Sequence, residues 1–114
     1  MKHSVLLGDS IFDNAAYVAD GSPLVEQLRL RLPRDWRVTL LARDGAAAAD
    51  IDSQLENVPD DATHLVVSVG GNDALESASL KPPAASSTEM LDDLVRVQTR
   101  FQHEYRRTVR EIGW

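Results

Sequence analysis

The sequence predicts an α/β fold, a three-layer α/β/α domain with a parallel sheet and strand order 2-1-3. Three short runs rich in apolar and β-branched residues, 4–7, 36–42 and 64–69, are typical of buried strands. Segments of helical length separate them, as parallel crossovers require. Right-handed crossovers and a switch point after the first strand then give that order.

The segments between the strands predict three helices and two loops. Ser22 as N-cap and Pro23 at the first helical position begin a helix that ends before Pro33. We predict further helices over 46–55 and 88–112, and loops over 11–21 and 75–87. The last helix carries an apolar stripe of Leu91, Leu94, Val95, Phe101, Tyr105, Val109 and Ile112.

Length, charge and cysteine content exclude several classes of partner and of functional site. The 114 residues predict one domain, spanning 1–114, and the net charge of -6 argues against nucleic acid or an anionic membrane surface. The absence of cysteine excludes disulfide scaffolds and thiolate chemistry. No apolar run is long enough for a signal sequence or a membrane span, so we expect a cytoplasmic protein.

Polar residues and glycines follow each of the three predicted strands. These segments are Gly8-Asp9-Ser10, Arg43-Asp44-Gly45 and Gly70-Gly71-Asn72-Asp73. The carboxyl ends of parallel strands share one edge of the sheet, where ligands bind near the switch point. A hydroxyl, a flexible backbone amide and a carboxamide are the groups that acyl transfer needs, as nucleophile and as donors to an oxyanion.

In these segments the chain resembles the amino-terminal part of an SGNH (GDSL-type) hydrolase, a family of flavodoxin-like esterases, lipases and acylhydrolases. The match consists of Gly8-Asp9-Ser10-Ile11, Gly45 and Gly70-Gly71-Asn72-Asp73, in the family's order. The resemblance implies that Ser10 is the nucleophile. It implies an oxyanion hole formed by the N–H groups of Ser10 and Gly45 and the side chain of Asn72. Asp9 and Asp73 are expected to support this site, which takes a small-molecule ester and needs no cofactor or metal.

The family's fourth block, Asp-x-x-His, is missing, and the match covers only about the first half of the family's domain. Asp61-Ala62-Thr63-His64 has this spacing but enters the third strand, which places His64 ~15–20 Å from the catalytic end. His3 is at the same distant end, and His103 is on the long helix. We therefore expect a domain truncated before its fourth strand, with feeble activity alone. Its exposed edge predicts a homodimer or association with a missing carboxyl-terminal half.

Two alternatives remain open from the residues. A flavodoxin-like phosphoacceptor or signalling domain would use Asp9 and Asp73, but it also requires a lysine after a fifth strand that this sequence does not contain. The other alternative is a non-catalytic fragment that folds by associating with itself.

Overall fold

The computed structural model describes residues 1–79 and 87–113, and for residues 76–79 it describes the backbone alone. It contains three parallel strands and four α-helices, joined by loops that include two short 3₁₀ turns. In chain order these are β1 (Lys2–Gly8), the turn Ala15–Tyr17, α1 (Leu24–Arg31), β2 (Trp36–Leu40), the turn Ala48–Asp50, α2 (Ile51–Leu55), β3 (His64–Ser68), α3 (Gly71–Ser79) and α4 (Ser87–Ile112).

The sheet has the predicted order β2-β1-β3 with all strands parallel. The central strand, β1, places Leu6 beside Leu40 on one side and beside Val66 on the other. Every residue of β1 after Lys2 is buried. The flavodoxin-like α/β class predicted from the sequence is therefore confirmed.

Helices cover both faces of β1. Leu6 packs on one face with Val25 of α1 and Val38 of β2. Because successive strand side chains alternate between faces, Val5 and Leu7 point to the other face, and both are completely buried. This second face carries α2 and part of α4. None of the described helices is both long enough and apolar enough to cross a membrane.

The prediction that Ser22 caps α1 is wrong. The helix begins at Leu24, after Pro23, and Ser22 makes no capping hydrogen bond. The Leu24 N–H instead donates to Asn14 Oδ1 at 2.8 Å. The cap therefore comes from a residue ten positions earlier, which a search for local capping motifs does not detect.

Two further segments differ from the prediction. The predicted loop over 75–87 is wrong for residues 75–79, because α3 begins directly at Gly71; residues 80–86 lie outside the described residues. The predicted helix over 46–55 is shorter, with a 3₁₀ turn before α2. The long helix is confirmed almost to the residue, as α4.

Asp52 of α2 forms an ion pair with α4. Its Oδ2 accepts a hydrogen bond from Arg107 at 2.6 Å. This ion pair links α2 and α4 across the second face of the sheet.

Candidate active site

The segments that follow the three strands meet at the carboxyl edge of the sheet. The Asp9 N–H donates to Ser68 O of β3 at 3.0 Å, and the Arg43 N–H donates to Gly8 O at 3.0 Å. The end of β1 is therefore bound on both sides, and Ser10 follows immediately after it. Ser10 is half-buried.

The side chain of Asn72 joins the two outer strand ends. Its Nδ2 donates to Ala46 O at 2.9 Å. Asn72 follows β3 and Ala46 follows β2, so this bond bridges the segments on either side of β1. A carboxamide nitrogen has two hydrogens, and the bond to Ala46 uses only one of them.

Gly45 occupies a turn that requires its backbone freedom. The Ala46 N–H donates to Arg43 O at 3.1 Å and closes the turn, and Gly45 has φ of 88°. A type II turn needs a positive φ at this third position, which favours glycine. Within residues 1–79 and 87–113, the Gly45 N–H has no hydrogen-bond acceptor, nor does the Ser10 N–H, and the Ser10 hydroxyl has no partner.

Asp9 shapes the loop that carries Ser10. The residue is only 4% exposed, and Oδ1 accepts a hydrogen bond from the Ile11 N–H at 3.1 Å. Its carbonyl oxygen accepts from the N–H groups of Phe12 and Asp13 at 3.2 and 3.0 Å. Three bonds thus fold the chain around Ser10, which is a supporting arrangement.

Asp73 acts between the other two strand ends. Its Oδ2 accepts a hydrogen bond from the Ala48 N–H at 3.0 Å. This bond fixes the start of α3 against the turn that precedes α2. Together with the Asn72 bond to Ala46, it holds the second and third segments in contact.

Gln54 of α2 is a site-positioning residue that the sequence reasoning missed. It is 6% exposed, its Oε1 accepts from the Gly8 N–H at 2.7 Å, and its Nε2 donates to Gly8 O at 2.9 Å. The available signal was its place three residues after Ile51, on the buried side of the helix. A glutamine at such a position requires partners.

Gly8 itself tolerates no side chain. Its φ is 127°, and a Cβ placed on it would lie 1.9 Å from Ser68 O. The close approach of β1 to β3 at this point therefore requires glycine, which explains the first residue of the Gly-Asp-Ser segment.

A second missed group fixes the turn after β2 to the loop after β1. The Asp44 N–H donates to Asp13 Oδ2 at 2.8 Å, and the Tyr17 hydroxyl donates to the Asp44 carboxylate at 2.8 and 2.9 Å. The hydrogen bond to Asp44, and then the negative charge of that group, raise the pKa of Tyr17 above its usual value.

No histidine is hydrogen-bonded to Ser10 among the described residues. His3 is 2% exposed near the amino end of β1, with Nδ1 2.8 Å from Asp61 Oδ1 and Nε2 2.6 Å from Thr39 Oγ1. The hydrogen bond between His3 and Asp61 lowers the pKa of Asp61. His64 is the exposed first residue of β3. His103 is exposed on α4.

The surface around Gly45 is open. A groove of about 460 Å³ lies between the Gly45 turn and α2, and it is lined by residues that include Arg43, Asp50 and Asn57. Ser10 and Asn72 do not line this groove. This groove therefore adjoins Gly45 but not the other two predicted oxyanion-hole residues.

No protein-family model matches this chain, and no curated protein matches it. The resemblance to the SGNH hydrolases therefore depends on the three short blocks, their order and their positions after the strands. In the described part of the chain, no group of three or more histidine and acidic side chains is arranged to hold a metal ion.

Proposed function

We propose that this chain is part of a serine ester hydrolase of the SGNH type, in which Ser10 attacks the carbonyl of a small-molecule ester. One observation carries the proposal: the segments that follow the three strands contain unoccupied hydrogen-bond donors of the kind that an oxyanion needs. The N–H groups of Ser10 and Gly45 have no acceptor among the described residues, and one Asn72 amide hydrogen is not used by Ala46.

In the proposed reaction, Ser10 Oγ forms a bond to the acyl carbon and the carbonyl oxygen takes the negative charge. The two N–H groups and the Asn72 amide would donate to that oxygen. Expulsion of the alcohol gives an acyl-serine, and water releases the acid. Asp9 and Asp73 keep the donors in place through the backbone bonds described above.

The proposed mechanism requires a base that these residues do not provide. A serine hydroxyl is a weak nucleophile until a positioned group removes its proton. Since no histidine is hydrogen-bonded to Ser10 among the described residues, we expect the 114 residues alone to hydrolyse esters slowly. An oxyanion hole and substrate binding without a base leave an acceleration of roughly 10³–10⁴ over water in a serine protease.

A segment equivalent to the family's Asp-x-x-His block, in cis or from a second chain, would supply the base and complete the site.

The cytoplasmic location and the absence of a nucleic-acid partner stay predictions. The phosphoacceptor alternative is less well supported, because it requires a lysine after a fifth strand and the only lysines of the sequence are Lys2 and Lys81.

The proposal is tested with p-nitrophenyl acetate and variants of the purified chain. Asn72→Ala should lower the slow hydrolysis, whereas Asn57→Ala, a matched change of an exposed asparagine, should not. Ser10→Ala should reduce the slow rate little further. Addition of the carboxyl-terminal half of an SGNH hydrolase should give a faster rate that depends strictly on Ser10.

Two results would contradict the proposal. Equal rates for Asn72→Ala and Asn57→Ala would remove the oxyanion assignment. Fast turnover by the chain alone that is abolished by His64→Ala or His103→Ala would show that the base lies elsewhere than the structure suggests.

A further inference from the structure

A network of four side chains near the amino end of the sheet has no part in the proposed function. His3 lies on β1, Arg37 and Thr39 lie on β2, and Asp61 lies between α2 and β3. His3 Nδ1 is 2.8 Å from Asp61 Oδ1, and His3 Nε2 is 2.6 Å from Thr39 Oγ1. Arg37 Nη1 donates to Asp61 Oδ2 at 3.2 Å.

The partners of His3 assign the hydrogens of this network. The hydrogen bond to His3 lowers the pKa of Asp61, so Asp61 is ionised at neutral pH and can only accept. His3 Nδ1 therefore carries the hydrogen that is donated to Asp61. In the neutral imidazole, Nε2 then has a lone pair and no hydrogen, so the Thr39 hydroxyl donates to it.

This arrangement has the features of an activated nucleophile. A hydroxyl becomes reactive when its proton is directed at a base and a third group orients that base. Here the hydroxyl belongs to Thr39, the base is His3, and Asp61 orients the imidazole. Arg37 binds the second oxygen of Asp61, so both oxygens of the orienting carboxylate are held.

Thr39 is placed where a small molecule can reach it. It lies on β2, an outer strand of the sheet, and it is half-buried, whereas His3 is only 2% exposed. Arg37 precedes Thr39 by two residues, so both side chains lie on the same face of β2. Apart from its bond to Asp61, the Arg37 guanidinium has no acceptor among the residues that the structure describes. Its free N–H groups can stabilise negative charge that develops near Thr39.

We propose that Thr39 is a second nucleophile, independent of Ser10, that takes an acyl group from an aryl ester or a thioester. Thr39 Oγ1 forms a bond to the acyl carbon, and its proton passes to His3 Nε2. The bond from the acyl carbon to the leaving oxygen or sulfur breaks, and His3 returns the proton to the phenolate or thiolate. The products are an ester of Thr39 and a free phenol or thiol, so no other reactant is needed.

The experiment uses p-nitrophenyl acetate and the Ser10→Ala protein, so that no label comes from Ser10. The reaction is stopped in acid at early times, and acetylated residues are identified by peptide mapping with mass spectrometry. Thr99 is the control within the same molecule, because it is exposed on α4 and its hydroxyl donates to Val95 O at 2.8 Å and not to a base. Thr39 should be acetylated at least about 100-fold faster than Thr99, since a positioned base contributes about 10²–10⁴-fold.

Two variants test the base and its orientation through the ratio of the Thr39 rate to the Thr99 rate. His3→Gln removes the base and should lower this ratio to about one. Asp61→Asn keeps the base but removes the orienting charge, so the ratio should fall at least about tenfold in a protein that circular dichroism shows to be folded. Asp60→Asn, the matched control, should leave the ratio unchanged.

Nitrogen NMR gives a separate measurement of the assigned hydrogens, and His3 should be protonated at Nδ1 and not at Nε2. Acetylation of Thr39 no faster than that of Thr99 would overturn the proposal. If His3→Gln does not fold, Asp61→Asn alone decides whether the network activates Thr39, and an unchanged ratio in that variant would overturn the role of the His3–Asp61 pair.

Discussion

Two constraints favour glycine at the carboxyl edge: a positive φ and a lack of space for a Cβ. Three glycine-to-alanine changes separate their effects. At Gly8 an added Cβ meets both a φ of 127° and the Ser68 carbonyl oxygen at 1.9 Å. At Gly45 the φ of 88° remains but no atom lies within 4 Å. At Gly71 neither constraint applies.

The expected magnitudes follow from these geometries. For Gly8→Ala, backbone strain of about 1–3 kcal/mol adds to overpacking of about 1–3 kcal/mol, since the obstacle is a main-chain carbonyl that cannot rotate away. For Gly45→Ala we expect a loss of about 1–2 kcal/mol from the backbone alone. Gly71→Ala should be neutral or should stabilise the protein by up to about 1 kcal/mol, because alanine reduces the entropy of the unfolded chain.

Urea unfolding followed by circular dichroism gives the three free energies, and each lost kcal/mol should lower Tm by about 4–8 °C in a domain of this size. Stability should fall in the order Gly71→Ala, Gly45→Ala, Gly8→Ala. If Gly8→Ala were as stable as Gly71→Ala, the close approach of β1 and β3 would be wrong, and with it the placement of Ser10.

Three further changes test the contacts around the sheet. Gln54→Leu leaves a buried N–H without an acceptor, so we expect a loss of about 1–3 kcal/mol in urea unfolding. Asp61→Asn should flatten the loss of stability below about pH 4, because His3 lowers the pKa of Asp61 and its contribution disappears as the pH falls through that lowered value. Tyr17 should ionise above the usual tyrosine pH in an absorbance titration, and Asp44→Asn should remove this shift, because the raised pKa depends on that carboxylate.

Each of these changes has a control in the same segment. Ser53→Ala, at an exposed position beside Gln54, should leave the free energy of unfolding unchanged. Asp60→Asn, which removes a neighbouring carboxylate but keeps the contact between Asp61 and His3, is the control for Asp61→Asn. For the titration, Tyr17→Phe should abolish the late absorbance step. If a variant and its control gave the same result in its assay, the contact that the variant removes would be wrong.

The sequence alone predicts those parts of the fold that depend on residues close together in the chain. The three strands, their order and the long α4 follow from apolar runs and crossover length, and β1 ends in the Gly-Asp-Ser segment as predicted. The contacts that hold this segment could not be read in the same way. Gln54 binds Gly8 from 46 positions away, and Asn14 caps α1 across ten.

The start of α3 shows a second limit of prediction from a single sequence. The Ser-, Ala- and Pro-rich composition of 75–87 predicts a loop, whereas residues 75–79 belong to α3, which begins at Gly71. Its first turn is stabilised by contacts with the segment after β2, through Asn72 and Asp73. Tertiary bonds of this kind override propensity, and a single sequence does not reveal them.

The double hydrogen bond between Gln54 and Gly8 has a mechanical consequence for the edge. A carboxamide carries the same donor and acceptor as a peptide unit, so Gln54 gives the Gly8 N–H the acceptor that a neighbouring strand would otherwise provide. It also adds a second donor to Gly8 O, which already accepts from the Arg43 N–H. The central strand is therefore clamped at its end by α2. Since α2 is itself tied to α4 through Asp52 and Arg107, the position of Ser10 depends on how these two helices sit on the sheet as well as on the sheet itself.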